Sequence, residues 1–246
     1  MRKIIKETII TLAIFAASFL ILAQVPWTKI FRVEQIRENT QKKLGDIYWS
    51  YFKLNSTVSS DSLLISRVDS ITKVVCSFDS TFYSKVQLHI IETSDVNAFA
   101  LPDNHLVINT GLINFCNSDD ELAGIIAHEI AHMELNHVMQ KLAKEIGIAT
   151  IISISSGSAG EMVMQTARLF TSGAYDRKLE KEADLEAVKI LNKAGINQNG
   201  LANFMERLSS KEDNFEIVEW LSTHPDSKER AKYIRDAKQD STLVIK

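Results

Sequence analysis

Five consecutive residues, His128-Glu129-Ile130-Ala131-His132, carry the strongest chemical signal in the chain. Two histidines at i and i+4 leave an α-helix on one side, so two imidazole nitrogens can reach a single metal ion. The glutamate directly after the first histidine is turned by about 100°, which sets its carboxylate beside that ion instead of on it. A carboxylate there suits a general base for a zinc-held water. The competing explanation is an amphipathic helix that carries two histidines by chance. The flanking sequence favours the metal: Ser118-Asp119-Asp120-Glu121 has the form of a capping box with Ser118 as N-cap. Leu122, Ile125, Ile126 and Ala127 follow with helical periodicity. The motif thus falls about two turns into a well-started helix, where its side chains are held rigidly.

A catalytic zinc site takes a third protein ligand and keeps an open position for water. The metzincin spacing would need a glycine and a histidine where Leu135 and Val138 stand, and a thermolysin-like glutamate would fall at Thr150 or Ile151. The third ligand therefore comes from farther along. Leu179-Glu180-Lys181-Glu182-Ala183-Asp184 opens a helix that runs through Val188 and Leu191 towards a terminal Gly195. Glu180 and Asp184 share a face, so one can ligate the metal while the other accepts the spare ring N–H of a ligating histidine. Glu182 points roughly the other way and forms a solvated acidic face with Glu186. Glu161 is a second candidate ligand, without such a partner. His137, five residues beyond His132, turns away from the ligand side of a continuous helix and reads as structural.

The elements that position these residues follow from composition and period. A chain of 246 residues, 45% hydrophobic, suits one substantial domain plus an anchor or extension. Nine glycines and three prolines favour a helix-rich domain with short loops. A net charge of -3 without a basic cluster gives no reason to expect nucleic acid. Cys76 and Cys116 form no C-x-x-C pair, which argues against a zinc ribbon or a thioredoxin-like site. They either form a disulfide outside the cytoplasm or serve as small buried residues.

Arg2, Lys3 and Lys6 precede a stretch from Thr8 to Thr28 that carries no charge for 21 residues. As a helix it rises about 31 Å, enough to cross a bilayer core. Pro26 ends it, and Trp27 and Lys29 suit an interfacial position. A cleaved signal peptide is the alternative, but a cut after Ala23 would leave Ile21 where a small residue is preferred. An uncleaved anchor with the basic flank in the cytoplasm places all that follows across the membrane. Residues 29–58 have helical period and end in the aromatic run Tyr48-Trp49-Ser50-Tyr51-Phe52, which suits packing on the domain. A helix capped by Ser60 or Asp61 runs to about Cys76. The period then changes: Val86–Glu92 and His105–Asn109 read as strands, with Asn97–Pro102 and the turn Asp103-Asn104 between them. An edge of this small sheet is expected beside the site, where an extended peptide can pair.

Asn97-Ala98-Phe99-Ala100-Leu101-Pro102, Asn109-Thr110-Gly111-Leu112, His128-Glu129-Ile130-Ala131-His132, Glu180-Lys181-Glu182-Ala183-Asp184 and His224-Pro225 with Arg230 resemble, in order, the motif blocks of one family. It is metallopeptidase family forty-eight, the gluzincins that include the CAAX prenyl, HtpX and Oma-type proteases. The likeness runs from about residue 60 to about 235. It implies one zinc ion on His128, His132 and Glu180, Glu129 as base and proton shuttle, and Asp184 as an orienting group. For His224, at the start of the last helix, it implies either support of the transition-state oxyanion or the fourth zinc position in a resting enzyme. Arg230 alternatively forms a structural ion pair. Two departures stand out: Asp103-Asn104 replace glycines after Pro102, and Asp176 replaces a common serine before Arg177.

The expected fold is α+β and helix-rich, a zincin-type domain with a small sheet beside the metal helix, plus one N-terminal transmembrane helix. The expected layout is residues 1–28 as anchor, 29–58 as a juxtamembrane helical segment and 59–246 as the peptidase domain. The resemblance implies a membrane-anchored zinc endopeptidase whose domain is extracytoplasmic (or secreted, if the anchor is cleaved). Protein or peptide substrates would lie extended along the strand near Leu106 to Asn109, with damaged envelope proteins as targets. The rival is a chaperone-like or autoinhibited zinc protein with little turnover, against which the intact Glu129 argues.

Overall fold

Helix α1 (Val33–Asn55) opens the part of the chain that the computed structural model describes, namely residues 33–157, 160–210, 218–225 and 227–237. The expected membrane-spanning segment lies outside these residues, and among those described no helix is long and apolar enough to cross a membrane. The chain divides between Thr40 and Gln41 into two compact units, and of the first only the opening of α1 is described. The second holds everything that follows. Its share of α1 buries Leu44, Tyr48 and Phe52, the aromatic end expected to pack on the domain.

Helix α2 (Ser62–Val75) starts where Asp61 accepts the backbone N–H groups of Leu63 and Leu64, a side-chain N-cap. A short 3-10 turn (Cys76–Phe78) and helix α3 (Ser80–Tyr83) lead into the sheet. Its strands are β1 (Gln87–Ile91), β2 (Ala98–Leu101) and β3 (His105–Asn109), in the order β1-β3-β2. Asp103 and Asn104, which stand where glycines were expected, both take positive φ (61° and 59°) in the turn between β2 and β3. Asn and Asp tolerate this left-handed conformation better than other side chains.

The sheet corrects one expectation. β3 is its middle strand, parallel to β1 and antiparallel to β2, so Leu106 to Asn109 offer no edge to a peptide. On the outer side of β1, Ser59 donates to Ile90 and Glu92 donates to Thr57. On the other side, Asn109 N–H donates to the Asn97 carbonyl. Antiparallel pairing alternates, so Phe99 and Leu101 also turn their backbone groups inward. The backbone groups of Ala98 and Ala100 face away from β3, and β2 is the edge beside the metal helix.

Helix α4 (Thr110–Phe115) precedes α5 (Asp119–Glu134), the helix of the motif. Ser118 accepts the Glu121 N–H at 3.3 Å, as the capping box requires. The Glu121 carboxylate reaches one residue further back, to the Asn117 N–H, and pairs with Arg207. Every residue of α5 from Glu121 to Met133 is buried. An all-round buried helix needs partners on every side, and α2, β2, α8 (Arg177–Lys193) and α9 (Asn199–Ser209) supply them. Gly124 permits one of these close approaches, since a Cβ there would lie 2.8 Å from the Leu201 Cα.

The motif helix was expected to continue past His137. It stops at Glu134 instead, because Asn136 adopts a left-handed conformation (φ 57°, ψ 28°) and α6 (His137–Ser155) begins afresh. Leu135-Asn136 is thus a helix end of the αL type, and it reorients His137. Gly147 kinks α6 with φ 76° and ψ 156°. Helices α7 (Gly160–Thr171), α10 (Val218–Thr223) and α11 (Ser227–Asp236) complete the described chain. Gly195 takes φ 70° just past α8, as expected of a C-terminal glycine. Both cysteines are free, Cys76 buried and Cys116 half-buried.

Candidate metal centre

Helix α5 presents His128 and His132 on one side with their Nε2 atoms 3.1 Å apart. Glu180, in the first turn of α8, brings Oε1 to 3.3 Å from His132 Nε2 and Oε2 to 3.6 Å from His128 Nε2. His224, at the end of α10, places Nδ1 2.9 and 3.1 Å from the two Glu180 oxygens and 3.3 Å from His128 Nε2. One ligand atom from each of the four lies within 4.8 Å of the others, and all four residues are buried. Asp184, one turn along α8, faces the far side of the ring, its Oδ1 3.0 Å from His128 Nδ1. An ionised carboxylate only accepts, so this contact favours the proton on Nδ1 and leaves the Nε2 lone pair for the centre, although the contact falls outside normal hydrogen-bond geometry.

This donor set fits zinc. Two imidazole nitrogens and a carboxylate are ligands zinc takes in catalytic sites. Here their ligand atoms converge in a buried space, a convergence that a bound cation would favour. Burial pushes the His132 ring down to about 3 and the His224 ring down to about 4, and lowers His128 as well. They are neutral imidazoles at neutral pH, the form that binds a metal.

The carboxylates are sorted by their neighbours. Burial alone would raise Glu180, but Arg230, His224 and His132 outweigh it and hold its carboxyl well below the usual range. Asp184 is likewise depressed, because Arg230 and then His128 overcome the cost of burial. Arg230 is 3% exposed and grips Asp184 with two bonds of 2.8 Å while pairing with Glu180. Tyr233 donates its hydroxyl to Asp184. Glu129 is the opposite case: burial drives its carboxyl well above the usual range, the Glu180 charge adds to this, and Lys141 and the Ala100 backbone N–H oppose it. Neither Glu129 oxygen has a hydrogen bond of normal geometry, and His224 Nε2 stands 3.4 Å from Oε1.

Other side chains are placed differently from the sequence expectation. His137 does not turn away: its Nδ1 is 3.1 Å from His132 Nδ1 and its ring is buried. Glu182 is not merely solvated, since its Oε2 lies 3.4 Å from His137 Nε2; Glu186 bonds Lys189. Glu161 is exposed in the first turn of α7, outside the cluster. Tyr175 went unremarked in the sequence, yet its ring stacks on His132 at 4.0 Å between centroids. Its N–H donates to the Thr223 carbonyl at 3.1 Å. Lys141 donates to the Gly173 carbonyl and lies 4.0 Å over the Tyr175 ring. Burial lowers this ammonium to about 8, against the pull of Glu180 and Glu129. Residues 173–176 therefore cover the centre. The only sequence signal for this was the nearness of Tyr175 to Glu180.

The profile of Peptidase family M48 matches residues 66–238, which include every residue of the four-residue cluster. This chain belongs to Peptidase family M48. It is similar to the mitochondrial metalloendopeptidase OMA1 of Schizosaccharomyces pombe, 28% identical over 179 residues, or 71% of this chain and 52% of that protein. It is 33% identical over 158 residues to the metalloprotease YcaL of Escherichia coli, which covers 61% of each. It is 27% identical over 212 residues to a putative beta-barrel assembly-enhancing protease of Vibrio cholerae, or 76% of this chain and 43% of that one. The chain thus spans less than two thirds of the length of each of these relatives. The M48 match leaves out α1 and reaches from within α2 to the end of α11.

Proposed function

We propose that the chain is a zinc-dependent endopeptidase, with the ion held by His128, His132 and Glu180 and with Glu129 as general base. One observation carries this reading: three convergent ligand atoms lie beside a buried carboxylate, Glu129, that has no normal hydrogen bond of its own. When bound, zinc lowers the pKa of a water to about 7 and polarises a peptide carbonyl. Glu129 takes the proton of the attacking water and returns it to the leaving amine nitrogen. Asp184 fixes the His128 ring through Nδ1–H, and Arg230 keeps Asp184 and Glu180 ionised. His224, 3.4 Å from Glu129, either supports the oxyanion or fills the fourth ligand position at rest. An extended peptide lies along the outer edge of β2 beside the metal helix, an edge that is buried in this structure and whose Ala100 N–H faces Glu129.

The reading extends to the whole chain. Residues 1–28 anchor it, 29–58 form a helical segment, and 59–246 form the peptidase domain beyond the membrane. The family and the printed names of the similar proteases support protein substrates and a place in envelope quality control. The cover over the centre favours one variant of this reading, a resting form with low turnover.

The test is cleavage of fluorescent casein by the zinc-loaded full chain and by Glu129→Gln. A loss of about 10²–10⁴-fold in the variant, with zinc still bound, is the expected result. Equal cleavage by both would refute the assignment. Equal silence would favour the resting form, and His224→Ala should then release activity.

A further inference from the structure

The two histidines of the centre are held from behind by different means. Behind His128 stands a carboxylate, Asp184, at 3.0 Å. Behind His132 stands another histidine. The Nδ1 atoms of His132 and His137 lie 3.1 Å apart, with the rings edge-on at 70°, a geometry that suits N–H···N. Both rings are buried, at 0% and 1% exposure.

The proton assignments follow from the partners. His132 turns Nε2 into the centre, so as a metal ligand it carries its proton on Nδ1. The atom facing that proton, His137 Nδ1, must accept it. His137 is then the Nε2–H tautomer, and the carboxylate beside that nitrogen is Glu182, with Oε2 at an ion-pair distance of 3.4 Å. The order is Glu182 carboxylate, His137, His132. Glu182 is 45% exposed, and Lys178 stands 3.7 Å from its other oxygen, so this chain of contacts ends at the surface while that of Asp184 ends on buried Arg230.

The fold makes the arrangement possible at two points. The left-handed Asn136 breaks the helix and returns the next side chain to the ligand it would otherwise leave behind. Helix α8 carries Glu180, Glu182 and Asp184 within five residues, so it faces the centre, His137 and His128 at once. Building on the zinc site proposed above, we infer that His137, oriented by Glu182, is a positioning residue for His132 and tunes its strength as a ligand. Glu182 sharpens the effect by favouring the tautomer in which His137 accepts.

The test measures zinc affinity of the full chain by competition with a chromophoric chelator, beside the visible spectrum of the cobalt-loaded protein. His137→Phe keeps much of the ring volume and removes the acceptor; it should weaken zinc binding about 10- to 100-fold and shift the cobalt bands. His137→Gln, whose side-chain oxygen can accept from His132, should recover part of that loss. Glu182→Ala should weaken binding in the same direction by less. Metal-free melting temperatures distinguish packing from positioning. If His137→Phe binds zinc like the wild type with an unchanged cobalt spectrum, the inference is wrong. It is equally wrong if the affinity loss tracks a loss of metal-free stability and glutamine gives no rescue. A wild-type chain that binds neither metal would overturn the zinc site itself, and the positioning role with it.

Discussion

Replacing Arg230 with methionine should cost the metal-free domain more than any surface change, because it strands two buried anions. Asp184 is 0% exposed and Glu180 2%. Arg230 binds the first through two 2.8 Å hydrogen bonds and pairs with the second. Removing one partner of a buried ion pair typically costs about 3–5 kcal/mol. At about 2–4 °C per kcal/mol for a domain of this size, the melting temperature should fall by about 6–20 °C. The assay is thermal unfolding by circular dichroism in EDTA, so that metal binding does not enter. Both carboxyls are depressed in the folded state. Their stabilising contribution is therefore complete above the unfolded values near 4 and is lost as pH falls through the folded values. The variant lacks this contribution, so its deficit should be largest at pH 7 and shrink below about pH 4. In the double variant Arg230→Met/Asp184→Asn the two losses should not add, with a coupling of at least about 1 kcal/mol. A fall of less than about 2 °C at pH 7, or a deficit that is the same at pH 7 and pH 3, would refute this account.

Two further outcomes follow from packing and charge. Gly124→Ala would press a methyl against the Leu201 backbone at 2.8 Å and should destabilise by about 1–3 kcal/mol, read from urea unfolding; an unchanged midpoint would mean that α5 and α9 separate easily. Lys141 titrates at about 8 in the fold against 10.5 for a free lysine. The unfolded chain binds more protons between those values, so wild-type stability should rise with pH across that window. Lys141→Met removes the burden of a buried charge. It should be more stable than wild type at pH 7, on the order of 1–3 kcal/mol, with the gain fading towards pH 10.5. Parallel pH profiles for the two proteins would count against it.

Local signals in the sequence located the elements that carry the proposed ligands. The Ser118 cap and the apolar run after it mark α5, and His128, His132 and Glu180 converge in the fold. The run His105–Asn109 marks a strand with the observed bounds. What the sequence hid depends on contacts between distant segments. That β3 is the middle strand follows from pairing with β1 on one side and β2 on the other, and periodicity within one strand says nothing about neighbours. His137 looked remote because a continuous helix was assumed, and a single left-handed residue, Asn136, reversed that. Tyr175 and Lys141 meet the site only because α6 and the segment before α8 pack together. No single window contains that fact.

The segment over the centre has a consequence for how the protein is used. Lys141 to Gly173, Tyr175 to Thr223 and Lys144 to Asp176 fasten it. Opening this segment means breaking the two inner bonds and unstacking Tyr175 from His132, whereas the exposed Lys144–Asp176 pair adds little. In the zinc site proposed above, whatever loosens these contacts would set how often a peptide reaches the metal.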